Sequence, residues 1–340
     1  MEERIVTGAG IEFASIKAGK FRRLHADRVV KQIFNPATLG LNARDSLRLV
    51  SGIYQSIGII RKFKPDAIFI KGGFVGLPLG IAAGWLRVPF VIHESDLVPG
   101  LANRALARKA ARVAVGFPAE QYSGFAQNKL VYTGNPVRKE LLGIDPALAK
   151  RHFKFSAKLP VVLVTGGSQG ARALNNAIIK ALPQLLQHFQ VIHQTGENEI
   201  EAVKFQVGRL RLDHPERYYA AAFLSDDLPQ AYGASDVVIA RAGATTISEL
   251  ALLGKPTILV PNTVMAGHQL ANAQLLARAG AVRVIGEDRL TPALLQRELT
   301  ALTASAEERD YLIKHLASFA VPDAAERLAE EIIKVASHGA

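Results

Sequence analysis

The sequence predicts an α/β protein built on parallel sheets and divided into two similar halves. Short apolar runs rich in β-branched residues recur at Ala67–Ile70, Phe90–Ile92, Val161–Thr165, Val191–Gln194, Val237–Ala240 and Thr257–Val260. Longer stretches with helical spacing separate most of them, the pattern of strands covered by helices on both faces. One stretch also occurs twice. Asp66–His93 (DAIFIKGGFVGLPLGIAAGWLRVPFVIH) and Asp236–Pro261 (DVVIARAGATTISELALLGKPTILVP) both run aspartate, apolar strand, basic residue, glycine-containing loop, small-residue helix, basic turn, proline, apolar strand. This is the same β-loop-α-β unit in two Rossmann-like domains, although any βαβ unit shares much of the pattern. The length, 340 residues, suits two domains of roughly 150 residues each.

In chain order, MEERIV reads as a helix end and a strand follows near Ile11–Ile16. Phe74–Leu86 is an apolar run of 13 residues, short of the about 20 a membrane span needs. The N-terminus has early charges and no apolar core, unlike a secretory signal. The chain is therefore expected to be soluble or at most peripheral. Arg104, Arg108 and Arg112 are spaced to form a stripe on one helix face. The domain boundary is expected between Leu142 and Leu159, where a polar, helix-like stretch precedes the strand at Val161. Helix Ala171–Leu182 follows GGSQG. A final helix, Asp323–Ala336, has Asp323 as N-cap and an apolar face of Leu328, Ile332, Ile333 and Val335. The expected domains are 1–145 with the C-terminal helix 322–338, and 158–321.

The halves differ at their start. The second opens with a strand, GGSQG and a helix, whereas the first has no such unit before its first repeat. The first domain is therefore expected to be N-terminally incomplete, through truncation or a start codon assigned to an internal Met.

Composition narrows the chemistry. Hydrophobic residues are 49% and charged residues 21%, which is ordinary for a globular protein. With no cysteine, a disulfide scaffold, a thiolate zinc site, an iron–sulfur cluster and a cysteine nucleophile are excluded. The net charge of +11 favours anionic partners: phosphorylated substrates, an acidic membrane face or nucleic acid. No nucleic-acid recognition motif is present and few stackable aromatics flank the basic residues. His188 and His193 lack a nearby third ligand and read as structural. No paired-carboxylate metal motif is evident, and a GxSxG elbow is absent.

Several segments carry candidate chemistry. In VVLVTGGSQGARALN, Gly166, Gly167 and Gly170 allow close backbone approach, and amides at the following helix start point at an anion, with Ser168 as a further donor. The spacing is neither GxGxxG nor a Walker loop, and a structural tight turn explains the glycines equally well. In RAGATTISEL, Ala244, Thr245 and Thr246 stand at a helix start where phosphate oxygens can be met. Glu249, a turn further, can accept two hydrogen bonds from a ribose diol or act in a capping position. His268 and Gln269 open a helix after the next strand, with Asn272 a turn on, in the place where open α/β sheets bind ligands. In the first half His93, Glu94 and Asp96 follow a strand and serve as crevice groups, a capped turn or both; TGNPVR supplies Arg138. Lys17, Lys20, Arg22, Arg23, Arg28 and Lys31, interleaved with Phe21, Leu24, Val29, Val30, Ile33 and Phe34, suit an anionic membrane surface or a solvated face.

Taken together in this order and spacing, KGGFVGLPLGIAA, HESDLVPGLANR, TGNPVR, VTGGSQGARALN, RAGATTISELALLGKP and HQLANA resemble the MurG family over essentially the whole chain. The resemblance implies a GT-B fold, two Rossmann-like domains across a cleft, with the last helix returning to the first. It implies an inverting glycosyltransferase that moves N-acetylglucosamine from UDP-N-acetylglucosamine to undecaprenyl-pyrophosphoryl-MurNAc-pentapeptide (lipid I), forming lipid II on the cytoplasmic membrane face without a cofactor or metal. The second domain would bind UDP: Ser168 at phosphate, Ala244, Thr245 and Thr246 along phosphate and uridine, Glu249 on the ribose, and the backbone near Leu224 and Ser225 on uracil. His268 and Gln269 would contact the sugar or its phosphate. Asp96 and Arg138 would approach from the first domain. The family's opening GGTGGH loop, whose His is a candidate base, is missing; Asp96 and Glu94 are the remaining candidates. The resemblance therefore implies donor binding but poor transfer by this chain. A UDP-N-acetylglucosamine 2-epimerase, another GT-B glycolipid synthase and an inactive UDP-sugar-binding module are the alternatives.

Overall fold

A computed structural model describes residues 2–19, 36–167, 170–262 and 267–337. The basic-apolar segment from Lys20 to Phe34, and Ser168, lie outside the described residues. The chain divides into two compact units: Met1–Ser95 with Pro99–Thr133 and Glu326–Ala340, and Asp96–Val98 with Gly134–Ala325.

The first unit contains helices α1 (Glu2–Gly8) and α2 (Pro36–Phe63), then strand β1 (Ile68–Ile70), α3 (Gly73–Leu86), β2 (Phe90–Glu94), α4 (Leu101–Leu106), β3 (Arg112–Val115) and β4 (Leu130–Tyr132). The strands form a parallel sheet in the order β1-β2-β3-β4. The apolar run Phe74–Leu86 is therefore a crossover helix between parallel strands, as its small residues suit. Gly76, Pro78, Gly80, Ala82 and Ala83 are its buried positions.

Three local expectations are corrected here. No strand forms at Ile11–Ile16; the segment is irregular and Ile11 is exposed. Its apolar residues do not alternate strictly. The backbone amide of Lys17 is satisfied by the Gln55 side chain at 2.7 Å rather than by a strand ladder. Nor do Arg104, Arg108 and Arg112 share a helix face. The helix α4 ends at Leu106, Ala111 already donates to Phe90 of β2, and Arg112 opens β3. The last helix, α13 (Ala324–Ser337), places Leu328, Ile332 and Val335 against Val91 and Ala114 of the sheet. Ile333, however, is 63% exposed: five residues beyond Leu328, it lies well off that face of a 3.6-residue helix.

The second unit carries α5 (Pro146–His152), β5 (Val161–Thr165), α6 (Arg172–His188), β6 (Gln190–Gln194), α7 (Ile200–Val207), β7 (Tyr218–Ala221), α8 (Leu228–Ala234), β8 (Val237–Ala240), α9 (Ala244–Leu253), β9 (Thr257–Leu259), α10 (His268–Arg278), β10 (Arg283–Val284), α11 (Pro292–Ala304) and α12 (Ala306–Ala317). Its sheet is parallel throughout, in the order β10-β9-β8-β5-β6-β7. Every residue of β5, β6 and β8 is buried, which explains why β8 and all but the last residue of β5 read as apolar runs; β6 also carries Gln190, His193 and Gln194, each of which is hydrogen-bonded. Val162, Val164, Val191, Val237, Ile239 and Ile258 pack with Leu174, Ile178, Leu182 and Leu185 of α6 and Leu295 and Leu299 of α11.

The repeated unit occurs in both sheets, as β1-α3-β2 and β8-α9-β9. Asp236, at the head of the second copy, accepts hydrogen bonds from the Val161 amide at 2.8 Å and Lys150 Nζ at 2.9 Å. The sheets have four and six strands and differ on the far side of the repeated unit. β8 pairs with β5 and β9, whereas among the described residues β1 pairs only with β2. The second sheet has the doubly wound order in which the chain runs outward from β5 to β7 and then restarts beside β5 at β8. Loops leaving β5 and β8 part in opposite directions, opening a crevice at their carboxyl ends.

Candidate functional site

Two loops border that crevice. The first leaves β5 through Gly166 and Gly167 and enters α6 after Gly170. Gly167 and Gly170 have φ of +82° and +79°, a region that glycine tolerates and other residues seldom do. A Cβ on Gly170 would stand 2.5 Å from the Thr195 carbonyl oxygen, and one on Gly166 would stand 2.7 Å from the Ala171 Cβ. Both glycines are thus required for packing. The loop-tightening reading of these residues holds on its own: the Gly167 amide donates to Thr165 Oγ1 at 3.3 Å and the Gly170 amide to the Gly167 carbonyl at 3.1 Å.

The second loop leaves β8 through Arg241–Gly243 into α9. Gly243 is the N-cap and offers no side-chain acceptor, so the amides of the first turn are left to bind something else. Thr245 is exposed and Thr246 half-buried beside them. Such an end has the geometry and dipole of an anion site. Arg241 braces the loop from below: its guanidinium donates to the Val260 carbonyl at 2.9 Å and pairs with Glu287.

Glu249 lies one turn into α9 and is buried. Its Oε2 accepts a hydrogen bond from the Tyr232 hydroxyl at 2.8 Å, and its Oε1 is 3.7 Å from an Arg138 guanidinium nitrogen. Burial pushes the Glu249 carboxyl above its usual range, while Tyr232 and Arg138 pull it back down.

A third group gathers at the start of α10, where Gly267 is in the left-handed region and again lends no side-chain cap. Gln269 Oε1 accepts from the Asn262 amide at 2.9 Å, which fixes the loop after β9. His268 Nδ1 lies 3.9 Å from Asp96 Oδ2. Asn272, fully buried, donates to Asp96 Oδ1 at 2.8 Å and the Ala242 carbonyl at 3.1 Å and accepts from the Leu97 amide at 2.9 Å. One carboxamide thus ties together the Asp96 segment, the β8 loop and α10. Asp96 and Arg138, expected from the first domain, therefore group with the second unit: the bonds of Asn272 and the pairing with Glu249 hold them there.

Glu94 belongs to the first unit and is the last residue of β2 rather than part of the loop after it. Its Oε2 accepts from the Gly100 amide at 2.8 Å and Asn103 Nδ2 at 2.9 Å. It secures the turn that starts α4, whose N-cap is Gly100. His93 is fully buried in the same strand.

Residues that the motifs did not single out complete the site. Gln194, at the end of β6, donates to Thr165 Oγ1 at 3.2 Å and accepts from the Leu224 amide at 3.2 Å. It positions the 224–225 backbone beside the β5 loop, where Ser225 takes a strained φ of +27°. Tyr232 is the second such residue; a tyrosine in a short apolar helix gives no sign that its hydroxyl reaches a carboxylate 17 positions away. His193 is buried in β6 between Asn175 and Tyr218, so it serves the interior. Among the described residues no group of three His, Asp or Glu side chains is placed to hold a metal ion.

The Glycosyltransferase family 28 N-terminal domain matches residues 1–115, and the Glycosyltransferase family 28 C-terminal domain matches 161–328. A UDP-N-acetylglucosamine--N-acetylmuramyl-(pentapeptide) pyrophosphoryl-undecaprenol N-acetylglucosamine transferase of Lachnospira eligens is 33% identical over 315 residues, 92% of this chain and 82% of that protein. The protein of the same name from Clostridium kluyveri is 34% identical over 336 residues, 98% of this chain and 88% of the other. Among solved structures, Acinetobacter baumannii MurG superposes with a TM-score of 0.70 at 27% identity, covering 98% of this chain and 88% of that one. A UDP-GlcNAc 2-epimerase from Neisseria meningitidis, bound to UDP-GlcNAc, matches with a TM-score of 0.63 at 15% identity over 84% of this chain and 81% of that one. That is a likeness of fold.

Proposed function

Because the chain belongs to glycosyltransferase family 28, and within it to the MurG family, we propose that it is an inverting hexosyltransferase of peptidoglycan synthesis. It transfers N-acetylglucosamine from UDP-N-acetylglucosamine to undecaprenyl-pyrophosphoryl-MurNAc-pentapeptide (lipid I), forming lipid II. The observation that carries this reading is the crevice at the carboxyl ends of β5 and β8. There, a tight glycine loop and the uncapped start of α9 stand near a buried carboxylate.

UDP lies in the second unit. The amides after Gly166 and at Ala244–Thr246 take the diphosphate, Glu249 takes the ribose hydroxyls, and the backbone at Leu224–Ser225 meets uracil. In an inverting transfer the acceptor hydroxyl oxygen bonds to the anomeric carbon as the bond to the diphosphate oxygen breaks. Negative charge then grows on departing UDP. The helix N-termini of α9 and α10, the two threonines, His268 and Arg138 are the groups suited to receive it. Gln269 contributes its remaining amide hydrogens to the sugar. The acceptor proton needs a base. Asp96, held in place by Asn272 beside His268, is the carboxylate of this unit that the reading assigns to that neighbourhood.

The enzyme works peripherally on the cytoplasmic face of the membrane. No helix among the described residues is long and apolar enough to cross a bilayer. Phe74 and Trp85 of α3 are exposed; eleven residues apart, they lie within about 20° of one side of the helix. Leu101 at the start of α4, which packs beside α3, is exposed too, with Lys71, Arg87 and Arg104 nearby in sequence. Apolar tips ringed by cations suit an anionic lipid surface.

The test is a calorimetric titration with UDP-N-acetylglucosamine, run beside a radiolabelled transfer assay with lipid I. Binding that Glu249→Ala weakens at least tenfold, with label entering lipid, is the expected result. Label appearing in N-acetylmannosamine instead would identify an epimerase, and unchanged affinity in Glu249→Ala would remove the nucleotide site.

A further inference from the structure

Glu249 has two oxygens, and the structure gives them different work. Oε2 receives the Tyr232 hydroxyl at 2.8 Å; Oε1 faces the half-exposed Arg138 guanidinium at 3.7 Å. Tyr232 is itself almost wholly buried on α8, the helix that precedes β8, while Glu249 is on α9, which follows it. A single hydrogen bond therefore joins two crossover helices on either side of one strand and ends on the carboxylate.

We propose that Tyr232 is a positioning residue: its hydroxyl fixes the rotamer of Glu249 so that the carboxylate meets both hydroxyls of a ribose, and it thereby sets the preference for a ribonucleoside diphosphate over a deoxy one. This rests on the nucleotide reading given above. A carboxylate offers about four lone-pair sites. Tyr232 takes one, and the others suffice for two diol donors and an exchangeable contact with Arg138. Without the phenol, nothing on α8 stops the side chain from rotating toward Arg138, and a buried diol site with a misaligned acceptor loses most of its selectivity. The phenol is suited to the task because burial and the neighbouring carboxylate push its pKa well up. It thus remains a donor well beyond the ordinary titration range of a phenol.

The same bond bears on ionisation. Burial raises the Glu249 carboxyl, and the groups that oppose this are Tyr232 from α8 and Arg138 from the segment after β4. Removing the phenol leaves burial less opposed, so the carboxyl titrates at higher pH and the acid limb of UDP binding moves up with it.

The experiment compares UDP with 2′,3′-dideoxyuridine 5′-diphosphate on the wild-type chain, Tyr232→Phe, Glu249→Gln and the double variant, by calorimetry from pH 5 to 8. The wild-type chain is expected to prefer UDP. Tyr232→Phe is expected to lose about tenfold in UDP affinity, with its acid limb at higher pH, while its affinity for the dideoxy nucleotide is unchanged, which also shows the fold intact. In the Glu249→Gln background, Tyr232→Phe is expected to add no further loss of selectivity. Equal losses for the two nucleotides, or a preference that survives Tyr232→Phe, would overturn the positioning role. A wild-type chain indifferent to the ribose hydroxyls, or a Glu249→Gln variant that retains the preference, would instead overturn the underlying site.

Discussion

Acid should destabilise the second unit through one side chain. His193 is fully buried in β6, with Nε2 3.1 Å from Asn175 Oδ1 and Nδ1 2.9 Å from the Tyr218 hydroxyl. Asn175 Nδ2 already donates to the Thr195 carbonyl at 2.9 Å, so its Oδ1 can only accept. The imidazole is therefore the neutral tautomer with its proton on Nε2, accepting from Tyr218 at Nδ1. A second proton would have to displace the Tyr218 donor in a fully buried site. Burial accordingly lowers the His193 pKa from 6.5 to about 3. The unfolded chain binds a proton in that interval and the folded chain does not. Stability is thus intact above pH 6.5 and falls as pH drops toward 3. At about 1.4 kcal/mol per pH unit, the full loss is on the order of 5 kcal/mol.

The perturbation is His193→Gln, which keeps one donor and one acceptor but cannot titrate. Urea unfolding followed by far-UV circular dichroism reads both units, and fluorescence of Trp85, the single tryptophan, marks the transition of the first, so that the second is read by difference. At pH 8 the variant is expected to be less stable by about 1–2 kcal/mol, because its shape fits the pocket poorly. At pH 4.5 the order reverses, since only the wild-type chain is still losing stability to protonation. A difference between the two chains that stays constant from pH 8 to 4.5 would show that His193 does not titrate as argued.

Other positions give sharper local tests. Gly170→Ala is expected to cost about 2–4 kcal/mol, through both its φ and the Thr195 oxygen 2.5 Å from the new methyl. Gly167→Ala meets nothing within 4 Å and costs about 1 kcal/mol; equal thermal shifts for the two would refute the packing argument. Arg241→Met strands Glu287 and the Val260 carbonyl and is expected to cost about 3–5 kcal/mol. Arg241→Met combined with Glu287→Leu recovers part of it in a denaturation cycle. Trp85→Glu, at an exposed site, is expected to leave stability unchanged but reduce sedimentation with anionic vesicles about tenfold.

The parts of this fold that were legible in the sequence are those that a local rule determines. β5 and β8 are buried on both faces and show it as almost unbroken apolar runs. The repeat of Asp66–His93 at Asp236–Pro261 was visible because one supersecondary unit imposes the same small-residue helix and the same prolines twice. The strands that escaped notice, β3, β4, β7 and β10, are two to four residues long, and each contains a charged or aromatic residue that blurs a short apolar signal. The expected strand at Ile11–Ile16 failed for the opposite reason: β-branched composition without a neighbour to pair with does not make a strand.

The site divides along the same line. Glycine spacing and helix-start residues located the crevice loops, since each is a few consecutive residues with one conformational requirement. The side chains that give those loops their precision could not be found that way. Tyr232 reaches Glu249, and Gln194 reaches Thr165 and Leu224; Asn272 was visible by its place near a helix start, but not its reach to Asp96 across 176 positions of sequence. Each makes one or more long-range hydrogen bonds that have no period and no local preference. Their common signature is a polar group buried on an element otherwise committed to the core. Such a group must find a partner or destabilise the fold. In a sheet of this order, the elements that offer partners at the carboxyl ends of β5 and β8 are the ones that border the crevice. Buried polar side chains on the strand ends and helices around a switch point are therefore where the supports of a nucleotide site should be sought, even when no motif marks them.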